Sequence, residues 1–181
     1  MGALVVVGAT GAGAVGGVFL AFSSVVLPAL SRLPAPQGIS AMQSVNVTAV
    51  RPAFLSALFG TGAVCVALGV QVVRQWGERG ALLVLLGSAA YLAGAVVLTV
   101  MHHVPLNDTL AAVDPSAPGA DGPWQHYLRS WGWANHARTA LCLAGAALLS
   151  SSLVTSSPAV GDDRASTSPA KASVTNIVVS R

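Results

Sequence analysis

The sequence has very few charged side chains. Asp, Glu, Lys and Arg together make up 8% of the 181 residues, against about 25% in ordinary globular domains. So few charges cannot cover the surface of a soluble domain, and lipid must therefore cover much of it. The nine basic residues are scattered singly along the chain, which argues against a basic patch for nucleic acid.

The sequence also lacks the patterns of several enzyme classes. Its two cysteines, Cys65 and Cys142, form no C-x-x-C pair. This argues against a membrane thiol oxidoreductase and indicates small buried side chains. There is no P-loop, no dinucleotide-binding glycine pattern after a strand and no G-x-S-x-G. The histidines lack the spacing of a metal site or of a bis-histidine haem, so no metal ligand is predicted. They are His102, His103, His126 and His136.

Long apolar runs are what the sequence has instead. About 20 apolar residues are needed to span a bilayer, and four runs meet or approach this length: Gly2–Leu30, Ala53–Val73, Ala81–Met101 and one within Thr139–Thr155. The first run has no basic residue before its apolar part and is too long for a signal peptide. The fold predicted is all-α, a four-helix transmembrane bundle of a multi-pass membrane protein.

The rest of the chain is connecting segments and a tail. Residues 1–155 are predicted to form the membrane domain, and residues 156–181, rich in Ser, Ala and Pro, a disordered tail. Met42–Val50 reads as a short helix between the first two spans. Basic residues divide five against four between the two sides, which favours termini inside only weakly. The pair Gly13 and Gly17 permits close helix packing, and the oligomeric state stays open.

Polar residues converge on one side of this bundle. HHVPLND, residues 102–108, follows the third run directly. A helix opening near Pro123 would carry Trp124, Trp131, Asn135 and Arg138 along one face, since these residues are separated by steps of seven, four and three. Tyr127 lies close to that face. A guanidinium at the membrane boundary is costly unless it faces the bundle interior, water or an anion.

Simpler interpretations of these residues exist. Tryptophans at a membrane surface are commonly interfacial anchors, which is the interpretation favoured for Trp133, on the opposite face. Arg138 alone could extend its charged head to the headgroups.

A histidine in HHVPLND could act as a base, because its ordinary pKa of roughly 6.5 suits proton transfer near neutral pH.

The combined motifs resemble a known family. HVPLND, followed by W-x-x-Y-L-x-x-W-x-x-x-N-x-x-R before a last apolar helix, resembles the anthrone oxygenase-like family of small four-helix membrane proteins. MQSVN and RPAF, at residues 42–46 and 51–54, look like that family's first loop. The resemblance covers about Gly8 to Leu149. It implies oxidation of an anthrone to an anthraquinone with molecular oxygen, without a metal or a flavin.

The resemblance, together with the base and the donors that the oxidation of an anthrone needs, gives a set of site residues. The catalytic candidates are a base and hydrogen-bond donors for a developing oxyanion. The base is His103, for which His102 could substitute, and the donors are Asn107, Asn135 and Arg138. The substrate-binding candidates are Trp124, Trp131, Tyr127, Asn46 and Gln43. The partners expected are the lipid bilayer, a hydrophobic aromatic molecule and O2, and no cofactor is expected.

Two other functions stay open at this point. The same residues could bind a hydrophobic ligand, a quinone or a partner helix without any chemistry. Less favoured is a membrane redox protein with bound haem, which an absorption spectrum would reveal. The expected location is a cell membrane, which we expect to be bacterial.

Overall fold

The computed structural model describes residues 1–156, and in this part of the chain all regular structure is helical. Five helices follow one another: α1 Gly2–Leu30, α2 Ala35–Ala49, α3 Pro52–Arg74, α4 Ala81–Ala111 and α5 Asp121–Ser156. The predicted tail lies, apart from Ser156, outside the described residues.

Four of the helices are long and apolar enough to cross a membrane: α1, α3, α4 and α5. They confirm the predicted four-span bundle. With its 36 residues, α5 is about 54 Å long at 1.5 Å per residue. The hydrocarbon core measures about 30 Å, so α5 extends well beyond it. The helix α4, predicted to end its span at Met101, also continues, through Pro105 to Ala111.

The spans form a ring in which each one packs against two neighbours. α1 packs against α3 and α5, and α4 closes the ring between α3 and α5. The backbones of α4 and α5 touch at two glycines, since a Cβ on Gly145 would lie 2.9 Å from the carbonyl oxygen of Gly87. Small residues allow this close approach in lipid, where helix packing depends on van der Waals contact.

The interior of the bundle consists of three apolar layers. One end is filled by Val5, Leu68 and Leu149 with their neighbours. The middle layer contains Phe19, Leu58, Cys65, Tyr91 and Cys142. At the other end α2 packs over the extended ends of α4 and α5 and buries a layer that we call the cap. The cap consists of Leu27, Ala35, Ile39, Met42, Leu110, Ala120, Trp124, Tyr127 and Trp131.

Both cysteines are fully buried in the middle layer and neither forms a disulfide. This agrees with their interpretation as small buried side chains.

Candidate functional site

A cavity of about 220 Å³ lies between the middle layer and the cap. Four phenylalanines and one tryptophan line it: Phe19, Phe22, Phe54, Phe59 and Trp131. Its polar lining consists of Asn46, Thr99, His103, Asn107, Asn135 and Arg138. Drug-sized ligands occupy pockets of roughly 300–1,000 Å³, so the cavity suits a compact ligand. No aspartate or glutamate is among the described residues that line it.

Two of the spans depart from α-helical winding at the level of this cavity. α1 has a π-helical turn at Phe22–Val26, and α4 has one at Thr99–His103, directly before Val104 and Pro105. Turns of this kind are frequent at functional sites because they re-aim the side chains they contain. They contain Ser23 and His103, both of which are buried.

Arg138 is a buried cation without an anionic partner at the cavity. Its side chain is 5% exposed, and its Cζ lies 3.6 Å from the centroid of the Phe19 ring. One terminal nitrogen makes a long hydrogen bond of 3.5 Å to Oδ1 of Asn135, and Nε has no partner among the described residues. A buried charge is costly unless it is paired. The guanidinium therefore has donors and charge to offer to an anion in the cavity.

Asn135 holds Arg138 in place. Its Nδ2 donates to the carbonyl oxygen of Phe19 and to Oγ of Ser23, both at 2.8 Å. A carbonyl oxygen can only accept, so the amide orientation is fixed by this bond. Both amide hydrogens are used on α1, and Oδ1 is left to accept from Arg138. This geometry makes Asn135 a positioning residue and leaves it no donor for a ligand.

The two adjacent histidines have different positions. His103 lines the cavity, is 2% exposed and contacts the Trp131 ring edge-on at a centroid distance of 5.1 Å. Its Nδ1 lies 3.0 Å from the carbonyl oxygen of Leu98. The hydrogen of a neutral imidazole therefore belongs on Nδ1, which leaves a lone pair on Nε2. Nε2 has no hydrogen-bond partner in the described chain.

His102 is directed elsewhere. Its Nε2 lies 3.2 Å from Oγ and 3.3 Å from the carbonyl oxygen of Ser130. It is not among the residues that line the cavity. Of the two candidate bases, only His103 contacts the cavity.

A second polar group connects three helices beside the cavity. The hydroxyl of Tyr127 on α5 donates to Oδ1 of Asn107 on α4 at 2.8 Å. Nδ2 of Asn46 on α2 approaches the same hydroxyl at 3.5 Å. Asn46 and Asn107 both line the cavity. Because Oδ1 of Asn107 is already an acceptor, its Nδ2 is the group that can donate to a ligand.

Two predicted substrate-binding residues, Trp124 and Gln43, do not line the cavity. Trp124 lies in the cap, and Gln43 lines a groove beside the cavity, between α2 and the end of α4. Trp124 stacks on Tyr127 with a centroid distance of 5.8 Å and an interplanar angle of 12°. Nε2 of Gln43 donates to the carbonyl oxygens of Leu110 and Val113 at 2.9 and 3.0 Å, at the end of α4. Both residues hold the cap together. Trp133 is 71% exposed, as expected of an interfacial anchor.

The cavity also contains residues that sequence reasoning did not select. Phe19, Phe22, Phe54 and Phe59 supply most of its aromatic wall, and Ser23 supports it through Asn135. Two signals could have pointed to them. Phe54 belongs to the RPAF motif, and Ser23 is a polar residue inside an uncharged span.

Residues 1–156 contain no candidate metal centre, because no three His, Cys, Asp or Glu side chains come together there as ligands.

Comparisons with known proteins gave one match. The family model described as anthrone oxygenase matches residues 52–148, which is more than half of the chain. The match includes α3, α4 and most of α5, and with them His103, Asn107, Asn135 and Arg138. Comparisons with the curated proteins and with the solved structures found no match.

Proposed function

The chain belongs to the anthrone oxygenase family, and from this premise we propose that it oxidises an anthrone-like or related polycyclic phenolic substrate with O2. The reaction takes place in the cavity at the membrane surface and needs neither a metal ion nor a flavin. The observation that carries the proposal is Arg138, a buried guanidinium with no carboxylate in a cavity walled by aromatic rings. Such a cavity suits a flat aromatic ligand that becomes an anion when bound.

The first step is a proton transfer. An anthrone has an acidic CH2 group between two rings, and its conjugate base carries the negative charge on the carbonyl oxygen. Nε2 of His103 takes the proton, since it has the free lone pair. Arg138 and Nδ2 of Asn107 donate to the oxyanion. The imidazolium formed is paired with the substrate anion, which offsets the cost of burying both charges.

The second step uses O2 as the oxidant. The electron-rich anion passes one electron to O2, and the substrate radical and superoxide combine to form a C–O bond. The peroxide takes up the proton from the His103 imidazolium. The second hydrogen of the former CH2 carbon then leaves as a proton while the O–O bond breaks. One oxygen atom ends in the new carbonyl group and the other in water. The base is restored, and the electrons balance without any further reductant.

Each side chain has one role in this scheme. His103 is the base, and Arg138 and Asn107 are the donors to the oxyanion. Trp131 and the four phenylalanines pack against the rings of the substrate. Asn135 and Ser23 are positioning residues that act through Arg138.

Isotopic oxygen tests the proposal. Membranes that carry the protein are given anthrone under ¹⁸O2, and the quinone is analysed by mass spectrometry, with membranes lacking the protein as the control for spontaneous oxidation. We expect protein-dependent quinone with one labelled oxygen. Label drawn from water, or turnover no faster than in the control, would refute the oxygenase. Binding of the quinone without turnover would instead favour a non-catalytic protein that binds hydrophobic ligands.

A further inference from the structure

Two surface grooves adjoin the cavity, one on each side of α2, and share lining residues with it. The first lies between α1, α2 and the start of α3. It shares with the cavity the residues Val18, Phe22, Val45, Ala49 and Phe54, and we call it the apolar mouth. The second lies between α2 and the end of α4. It shares with the cavity Asn46, Val50, Val104 and Asn107, and we call it the polar mouth.

The two mouths differ in the polar groups that they offer. The apolar mouth has only two hydroxyls, and both are engaged within α2. Oγ of Ser44 donates to the carbonyl oxygen of Ser40 at 3.0 Å, and Oγ1 of Thr48 donates to that of Ser44 at 2.9 Å. The polar mouth has the amides of Gln43, Asn46 and Asn107 and the exposed carboxylate of Asp108. Water is therefore favoured at the polar mouth and not at the apolar one.

The apolar mouth lies along the second half of the α1 span. Val18 and Phe22 are about 24 and 30 Å along α1 from Gly2, at 1.5 Å per residue. A hydrocarbon core is about 30 Å thick and residues 2–30 carry no charged side chain, so a core that begins near Gly2 would end near Val18 and Phe22. Val18 is 40% exposed. With this placement, acyl chains can reach the apolar mouth.

We propose that the substrate enters the cavity from the bilayer through the apolar mouth, as a neutral polycyclic aromatic molecule dissolved in lipid. This inference rests on the proposed function for the class of substrate. A neutral, flat molecule partitions into the hydrocarbon and reaches the cavity without crossing water. It meets Arg138 and becomes an anion only inside. The polar mouth is left for water and protons.

Two exposed positions on α2 provide a matched test. Thr48 lines only the apolar mouth and Val47 only the polar mouth. Thr48→Phe and Val47→Phe place the same bulky ring at the two entrances without filling the cavity and without adding a tryptophan. Ser44→Phe is a second variant at the apolar mouth, one helical turn from Thr48. The probe is anthraquinone, offered in lipid nanodiscs, and its binding is followed by quenching of tryptophan fluorescence in a stopped-flow instrument.

Entry from lipid predicts a difference in association rate. Thr48→Phe and Ser44→Phe should slow binding roughly tenfold or more, within the one to three decades over which association rates vary among variants of one site. Their equilibrium affinity should stay near that of the wild type, because the cavity is unchanged. Val47→Phe should bind at the wild-type rate. Slow binding in Val47→Phe alone, equal rates in all variants, or no binding by the wild type would overturn the inference. Because the assay needs no oxidation, a wild type that binds but does not turn over contradicts only the oxygenase.

Discussion

Replacing Arg138 by lysine separates a catalytic guanidinium from a simple positive charge. Lysine keeps the charge, but its compact ammonium cannot present the planar set of donors that arginine has. The fold loses one long hydrogen bond to Asn135 and the contact of the guanidinium with the Phe19 ring, together worth about 2–4 kcal/mol. Because typical domains are stable by 5–15 kcal/mol or so, Arg138→Lys should remain folded and in the membrane.

Turnover should fall steeply although the protein stays folded. Removing one donor from an oxyanion site costs roughly a hundred- to thousand-fold in kcat, or about 2.7–4 kcal/mol. We therefore expect Arg138→Lys to lose most of the oxygen-dependent oxidation of anthrone. The assay is quinone formation in membranes that carry equal amounts of each variant.

Arg129→Lys is the matched control, because Arg129 is exposed on the same helix. It should behave as the wild type. Near wild-type turnover in Arg138→Lys would refute the oxyanion role. Arg138 would then be a cation that only stabilises the bundle or reaches towards the headgroups.

Two further predictions follow from the contacts. His103→Gln should lower the rate of anthrone oxidation by about 10²-fold or more, because general-base catalysis contributes roughly 10²–10⁴-fold. The control His136→Gln, at an exposed position on α5, should leave the rate unchanged. Equal rates in both variants would exclude His103 as the base. Gly38→Ala should lower the unfolding temperature in detergent, because its Cβ would lie 2.7 Å from the Trp124 ring and overpacking costs about 1–3 kcal/mol. Gly17→Ala is the control, since its Cβ would meet nothing within 4 Å and alanine gains about 1 kcal/mol in a helix; similar shifts in the two variants would contradict the predicted clash.

The four spans could be predicted from the sequence because hydropathy is a local property. Each run is long enough to require lipid or burial, whatever the rest of the chain does. The face shared by Trp124, Trp131, Asn135 and Arg138 could be predicted for the same reason, since helical periodicity depends only on spacing. All four side chains are buried, while Trp133 on the opposite face is exposed.

Depth along the helix could not be predicted from that spacing. Periodicity states which residues share a face, but not which neighbour each one meets. Trp124 and Trp131 lie on one edge, yet Trp124 packs under Gly38 in the cap and only Trp131 reaches the cavity. The contacts of Gln43 with the end of α4, 67 and 70 residues further along the chain, could not be predicted from spacing either.

The partners of the polar groups were decided by tertiary structure alone. The amide of Asn135 donates to Phe19 and Ser23, which precede it by 116 and 112 residues, and no local pattern relates these positions. The π-helical turn before Pro105 brings His103 to the cavity, while its neighbour His102 turns to Ser130. The sequence by itself determined a membrane bundle with polar side chains at one end, because the length of an apolar run and the spacing along a helix depend only on neighbouring residues. Which donors remain free for a ligand depended on packing between distant segments.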